Sequence, residues 1–154
     1  MTTIEFLANK RLKYSVIAHQ DTYAAQRMAA AIHVSGREVA KTVLLRRNGG
    51  DEYVVAVLPA NRIIDLRRAA EALDADAVQL ATEIEIAQHC PDCEMGALPP
   101  FGSRYGLKTL VDESLAEDEE IVFEGDNHHE SIRMKFADFC RAEQPRFGQF
   151  GKVP

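Results

Sequence analysis

A lysine, a glycine-bounded proline loop and a pair of adjacent histidines are the residues of this chain best suited to chemistry. Lys41 precedes the apolar run Val43-Leu44-Leu45, at the entrance of what reads as a buried strand. A lysine in that position either runs its stem along the surface to water or holds an anion on a rigid element. The second group is Gly96-Ala97-Leu98-Pro99-Pro100-Phe101-Gly102. Successive prolines fix φ and remove amide donors, so the loop is stiff and extended. Its flanking glycines let a ligand approach bare backbone, and amides at Gly96 and Ala97 can cradle an oxyanion or a carbonyl. The third group is His128-His129, inside a polar turn. A fourth cluster, His89-Cys90-x-x-Cys93, gathers three zinc-type ligands that either of those histidines could complete. It is the weaker signal, because a second Cys-x-x-Cys and a His-x-Glu helix are both missing from the sequence. No Ser-His-Asp or Cys-His set stands out, so covalent catalysis has little support.

The elements that must position these groups follow from periodicity and punctuation. Tyr14–Ala18 reads as a short strand, and Asp21 caps a helix with Met28 and Ile32 on its apolar face, stopped by Gly36. The strand behind Lys41 returns through Asn48-Gly49-Gly50-Asp51, a strong hairpin signal, into Tyr53–Leu58. Asn61 or Asp65 caps the next helix, with Leu66, Ala69, Ala70 and Leu73 on one side. A short strand over 77–81 precedes Thr82-x-x-Glu85, a capping-box pattern opening the helix that leads to the cysteines. Strands are expected over 106–112, 120–123 and 131–134, then a short helix with Phe136, Phe139 and Cys140 inward. The tail from about residue 144 is expected to be loose. Hairpins outnumber βαβ units, which predicts an α/β domain of the α+β type: a mainly antiparallel mixed sheet or partial barrel flanked by short helices.

With 154 residues, 46% of them hydrophobic, the chain is expected to form a single domain over 1–154 with a sizeable core. It carries no signal-like start or membrane-length apolar run, and its three cysteines are too few for a disulfide framework. Both features point to the cytoplasm and away from a membrane. The net charge of −6 argues against a broad nucleic-acid coat such as a DNA duplex requires. Residues 1–50, however, hold eight Lys/Arg against three Asp/Glu, a net of +5. Such a local basic face suits a short, end-on phosphate contact.

Taken together, Val39-Ala40-Lys41-Thr42-Val43, the Gly96-x-x-Pro-Pro-Phe-Gly102 loop, and Phe123-x-Gly125 followed by histidine and Ile132-Arg133-Met134 resemble the YbaK/prolyl-tRNA synthetase-associated editing domain family. The resemblance spans about residues 12 to 142; no single piece is specific, but the ordered trio is. It implies a freestanding aminoacyl-tRNA deacylase that hydrolyses the ester of mischarged tRNA in trans, without a cofactor. It also implies roles for this chain's residues. Lys41 would hold phosphate at the tRNA 3′ end, Gly96 would lie against the aminoacyl carbonyl, and a hairpin histidine would line the amino-acid pocket. Counting back from Ile132 selects His128 for that last role; His129 is its rival, since the usual pattern has one histidine here. Leu98, Pro99, Pro100, Phe101, Gly102, Met28 and Ile32 complete the expected lining. The expected amino acid is small (alanine, serine or threonine), and the partners are the aminoacylated 3′ end and an aminoacyl-tRNA synthetase. The other readings are a non-catalytic module that grips charged tRNA or a synthetase, and a zinc-dependent hydrolase built on His89, Cys90 and Cys93.

Overall fold

The computed structural model describes residues 1–19, 38–94 and 96–154. The expected helix between Asp21 and Gly36, with Met28 and Ile32, therefore lies outside the described residues.

Asn48 adopts a left-handed conformation (φ 54°) and turns β2 (Ala40–Arg47) back into β3 (Glu52–Pro59), as the sequence predicts. Its side-chain oxygen also accepts from the amides of Asp76 and Ala77, which fixes the start of β5 (Val78–Leu80) along the other edge of β2. Asp65, not Asn61, caps α2 (Leu66–Ala72), after the two-residue strand β4 (Ile63–Ile64). Thr82 and Glu85 form both halves of the capping box that opens α3 (Glu83–His89). β6 (Lys108–Asp112) enters parallel to β3, and with β9 (Arg146–Gly148) the result is a five-stranded mixed sheet in the order β5-β2-β3-β6-β9.

A second, three-stranded antiparallel sheet has the order β1-β8-β7, with β1 at Ser15–Ala18, β7 at Glu120–Glu124 and β8 at Glu130–Lys135. The two sheets meet at one parallel bridge, Val39 to Val122, where Glu38 also accepts a 3.1 Å bond from the Val122 amide. The mixed sheet with its short helices matches the expected α/β class. An apolar core drawn from both sheets is closed by α1 (Thr3–Asn9) and α4 (Phe136–Glu143). Phe101 sits at its centre, with ring centroids 5.1 Å from Phe6, 5.5 Å from Phe123 and 5.4 Å from Phe139. A second cluster, on the other face of β2 and β3, is covered by Ala69 and Ala70 of α2 and by Leu73, which caps its C-terminus.

The tail departs from expectation. From Gln144 the chain is not loose: β9 (Arg146–Gly148) pairs parallel with β6, and β10 (Gly151–Lys152) pairs with β4. Phe150 is fully buried in the second cluster, and Asp112 accepts from the amides of Phe150 and Gly151 at 2.9 and 2.7 Å. A buried phenylalanine and a buried carboxylate anchor what polar composition alone marks as frayed.

The proline loop is anchored at its far end. Gly102 donates to Thr109 Oγ1 at 3.0 Å, and Thr109 donates to Glu143 Oε1 at 2.6 Å. Glu143 also accepts from the amide and hydroxyl of Ser103. A Cβ on Gly102 would lie 2.6 Å from Thr109 Oγ1 and 2.9 Å from the carbonyls of Leu107 and Lys108. Gly102→Ala is therefore expected to destabilise the fold by about 1–3 kcal/mol through overpacking. Chemical denaturation would measure it, and an unchanged midpoint would contradict the packing argument.

Candidate active site

Lys41 is the second residue of β2 and lies opposite Leu58 of β3. Its side chain is half-buried, and burial pulls its pKa below that of an ordinary lysine. Among the described residues it has no ion-pair partner. A partly desolvated ammonium without a counter-charge is an unfavourable arrangement unless an anion completes it.

The Val39–Val122 bridge sets what stands beside Lys41. Lys41 lies two residues beyond Val39, and Glu124 two residues beyond Val122, so the alternation of strands puts both on one face. Glu124 is buried, and its Oε2 lies 3.1 Å from His128 Nδ1. The His128 ring in turn stands against Gly96: a Cβ built there would meet Cε1 at 3.4 Å and Nε2 at 3.7 Å. Gly96 has φ +84°, a conformation that side chains disfavour. The sequence thus brings Gly96 and His128 together through the fold, with Glu124 behind the ring and Lys41 on the same sheet face.

Between the two histidines the geometry discriminates. His128 is 3% exposed, whereas the His129 side chain is half exposed, with Nε2 3.9 Å from Glu130 Oε1. Asp126, two residues before His128, takes a left-handed conformation (φ 80°) in the same turn. Asp126 is itself clamped: its carboxylate accepts from Thr3 N, Thr3 Oγ1 and Arg104 Nη1 at 2.6, 2.7 and 2.8 Å. Its carbonyl accepts from Glu94 N at 2.7 Å, and Glu94 Oε2 accepts from His128 N at 3.3 Å. The N-terminal helix, the 3₁₀ turn of Arg104 and the two site loops are tied together at this point.

Several expected lining residues have other employment. Phe101 is the centre of the aromatic core, Leu98 packs in the same cluster, and Pro99 and Pro100 are buried beside them. Phe101 is thus corrected from pocket to core, because a fully enclosed ring cannot meet a ligand. Ala97 is corrected as well: it is buried and its amide donates to Glu94 O at 3.0 Å, which leaves it unable to cradle an oxyanion. Gly102 serves the Thr109–Glu143 anchor described above. Glu124, Asp126, Arg104 and Glu94 escaped the sequence reading. A hint for Glu124 was available, since it ends an apolar strand four residues before His128.

The zinc reading finds no support in the arrangement of its donors. Among the described residues no three His, Cys, Asp or Glu side chains converge as a metal-holding group. The His89 ring packs tilted against Tyr53 with ring centroids 4.1 Å apart, and Cys93 donates to the Cys90 carbonyl. Burial pushes the Cys90 and Cys93 thiols up to about 12 and about 11, which keeps both protonated at neutral pH. A serine–histidine contact does exist, Ser131 Oγ to His19 Nε2 at 2.8 Å, but Ser131 is fully buried on β8 and joins the end of β1 to that strand.

Burial pushes the Glu124 carboxyl up to about 7; the Glu94 charge adds to the rise, and His128 opposes it. A folded-state pKa above the unfolded value means the native protein holds an extra proton between about pH 4.5 and 7. The stabilisation is complete below the unfolded pKa and is lost as pH rises through the folded one. Urea midpoints are expected to fall between pH 5 and pH 8, and Glu124→Gln is expected to flatten that fall. An equal slope in the variant would rule out Glu124 as its source.

A family model for the aminoacyl-tRNA editing domain matches residues 19–142. The chain belongs to that family. Its members hydrolyse the ester joining an amino acid to tRNA, so aminoacyl-tRNA is the substrate of this editing domain. Among curated proteins it is 27% identical over 153 residues to "Multifunctional Ser/Thr-tRNA deacylase ProXp-y" of Escherichia coli (strain K12), covering 97% of this chain and 91% of that protein. The protein of the same name from Escherichia coli O157:H7 matches equally. Two solved structures share the fold. The crystal structure of hypothetical protein APE2540 has a TM-score of 0.86 at 18% identity, covering 97% of this chain and 98% of that one. A structure described as a candidate trans-editing enzyme for prolyl-tRNA synthetase has a TM-score of 0.81 at 18% identity, covering 97% and 92%. Among the described residues no helix of the editing domain is long and apolar enough to cross a membrane.

Proposed function

We propose that this editing domain acts in trans, removing a small amino acid, serine or threonine first and alanine next, from mischarged tRNA in the cytoplasm. The observation that carries the reading is Lys41: a half-buried ammonium, without a counter-ion among the described residues, on the same sheet face as Glu124, whose partner His128 abuts Gly96. Lys41 binds phosphate at the 3′ end and sets the ester in register. Gly96 presents backbone to the aminoacyl carbonyl. His128, held from behind by Glu124, closes the pocket to long side chains. The likeness to a Ser/Thr-tRNA deacylase supports the choice of amino acid. A second sieve of this kind is useful because one methylene gives a synthetase only about 1–3 kcal/mol of discrimination.

The attacking group is water. Among the described residues the nearby thiols are protonated and Ser131 is enclosed, so none of these side chains is poised as a nucleophile. The ribose hydroxyl beside the ester assists the water in place of a protein base, and the tRNA thereby supplies part of its own catalysis. The substrate reaches the domain after release from an aminoacyl-tRNA synthetase.

A panel of tRNAs charged with radiolabelled serine, threonine, alanine and a larger amino acid tests the proposal, with Lys41→Ala and chelator-treated controls. Expected is turnover of the small aminoacyl esters only, lost in the mutant and indifferent to chelator. Tight binding without turnover of any of them would instead make this a binding module.

A further inference from the structure

The turn between α1 and β1 meets the far end of β8 in a groove of about 500 Å³. Five cations line it: Arg11, Lys13, Arg133, Lys135 and Arg141. Two carboxylates also line it, Glu120 and Asp138, and Asp138 is already paired with Arg141. Arg11, Lys13, Arg133 and Lys135 have no ion-pair partner among the described residues. The Nε of Arg133 is buried and has no hydrogen-bond partner among the described residues. β1 begins at Ser15, opposite Arg133, so Lys13 lies just before the strand on the side of Lys135, whose cross-strand neighbour on β7 is Glu120. One carboxylate beside that strand end leaves the cations in excess. On a protein of net charge −6, such a cluster suits a polyanionic ligand.

The groove continues the active-site face. Arg133 pairs with Val122, the bridge residue, and Ser131 pairs with Glu124, so Arg133 shares a face with Glu124 and with Lys41 beyond the bridge. Rows on one face repeat about every 7 Å, which sets Lys135 about 13 Å from the Glu124 row, a span of a few nucleotides. Resting on the deacylase reading, we infer that this groove holds the sugar–phosphate backbone of the acceptor stem while Lys41 holds the 3′ end. Its contacts are to phosphate, not to bases, so it raises affinity for any tRNA and leaves amino-acid choice to the pocket.

The test is charge reversal at the two exposed lysines, Lys13→Glu with Lys135→Glu, beside the milder Lys13→Gln with Lys135→Gln. Two substrates are compared, serine-charged tRNA and a serine-charged terminal trinucleotide, and binding of uncharged tRNA is titrated across salt concentrations. Expected is a KM for charged tRNA at least 10-fold higher with kcat unchanged, full activity on the trinucleotide, and a smaller KM rise in the glutamine pair. The log–log salt slope of tRNA binding should become shallower by about 1.5, the loss of two phosphate contacts. Unchanged KM and salt slope would overturn the groove, and so would an equal loss on the trinucleotide. If the wild type hydrolyses neither substrate, the deacylase reading falls, and tRNA binding still decides the groove.

Discussion

Lys41→Ala is expected to lower kcat/KM for charged tRNA by about 10²-fold while leaving the melting temperature unchanged or slightly higher. The two halves of this prediction have one cause. The ammonium is half-buried on a strand and has no ion-pair partner among the described residues, so folding gains little from it. Binding is where its charge is used: a charge-assisted hydrogen bond to phosphate contributes about 1.5–3 kcal/mol. That range corresponds to roughly 10- to 150-fold, and misplacement of the ester adds to it. Burial also lowers the pKa of Lys41, so the ammonium is lost at a lower pH than for an ordinary lysine. Enzymatic kcat/KM, corrected for spontaneous ester hydrolysis, should therefore decline as pH rises toward the alkaline range. Lys41→Arg keeps a charge that does not titrate and should remove that decline while retaining part of the activity. A Lys41→Ala protein with full activity would refute the phosphate role. One that loses activity and stability together would show the lysine to be structural.

What the sequence disclosed was local, and what it concealed was long-range. The Asn48 turn, the Asp65 cap and the Thr82–Glu85 box each depend on residues within a few positions, and all three formed as their chemistry dictates. Lys41 was legible because a cation stands out beside an apolar run. Phe101 misled because a proline loop looks exposed, whereas its ring is claimed by Phe6, Phe123 and Phe139 from three distant segments. The tail misled for a similar reason, since parallel pairing of β9 with β6 leaves no hairpin signal. The choice between His128 and His129 turned on burial in a turn whose Asp126 is clamped by Arg104 and Thr3, 22 and 123 positions away, which nothing local announces. Glu124 stayed hidden because its burial comes from tertiary packing around the end of β7, which its neighbours in sequence do not announce. Family resemblance compensated for this blindness at Gly96, where the residue type alone says only that a turn is present.

Gly96→Val is expected to abolish hydrolysis, and Gly96→Ala to reduce it at least 100-fold, with a modest loss of stability in both. A non-glycine residue held at φ +84° is strained by about 1–3 kcal/mol, which for a chain of this size lowers the melting temperature by several degrees. Strain alone does not explain a catalytic loss, because a protein that remains folded still presents its site. The second effect is steric. A Cβ at Gly96 would lie 3.4 Å from His128 Cε1, filling the gap between backbone and imidazole into which the aminoacyl carbonyl is proposed to fit. Alanine narrows that gap and valine closes it. Activity normalised to the folded fraction separates the two effects, and His128→Ala in the alanine background supplies the control by reopening space opposite the new methyl. Partial recovery in the double variant is the expected result, because the obstruction lies between those two residues. Normal turnover in folded Gly96→Val would mean that the ester never approaches this backbone, and the site would have to be sought on another part of the face that carries Lys41.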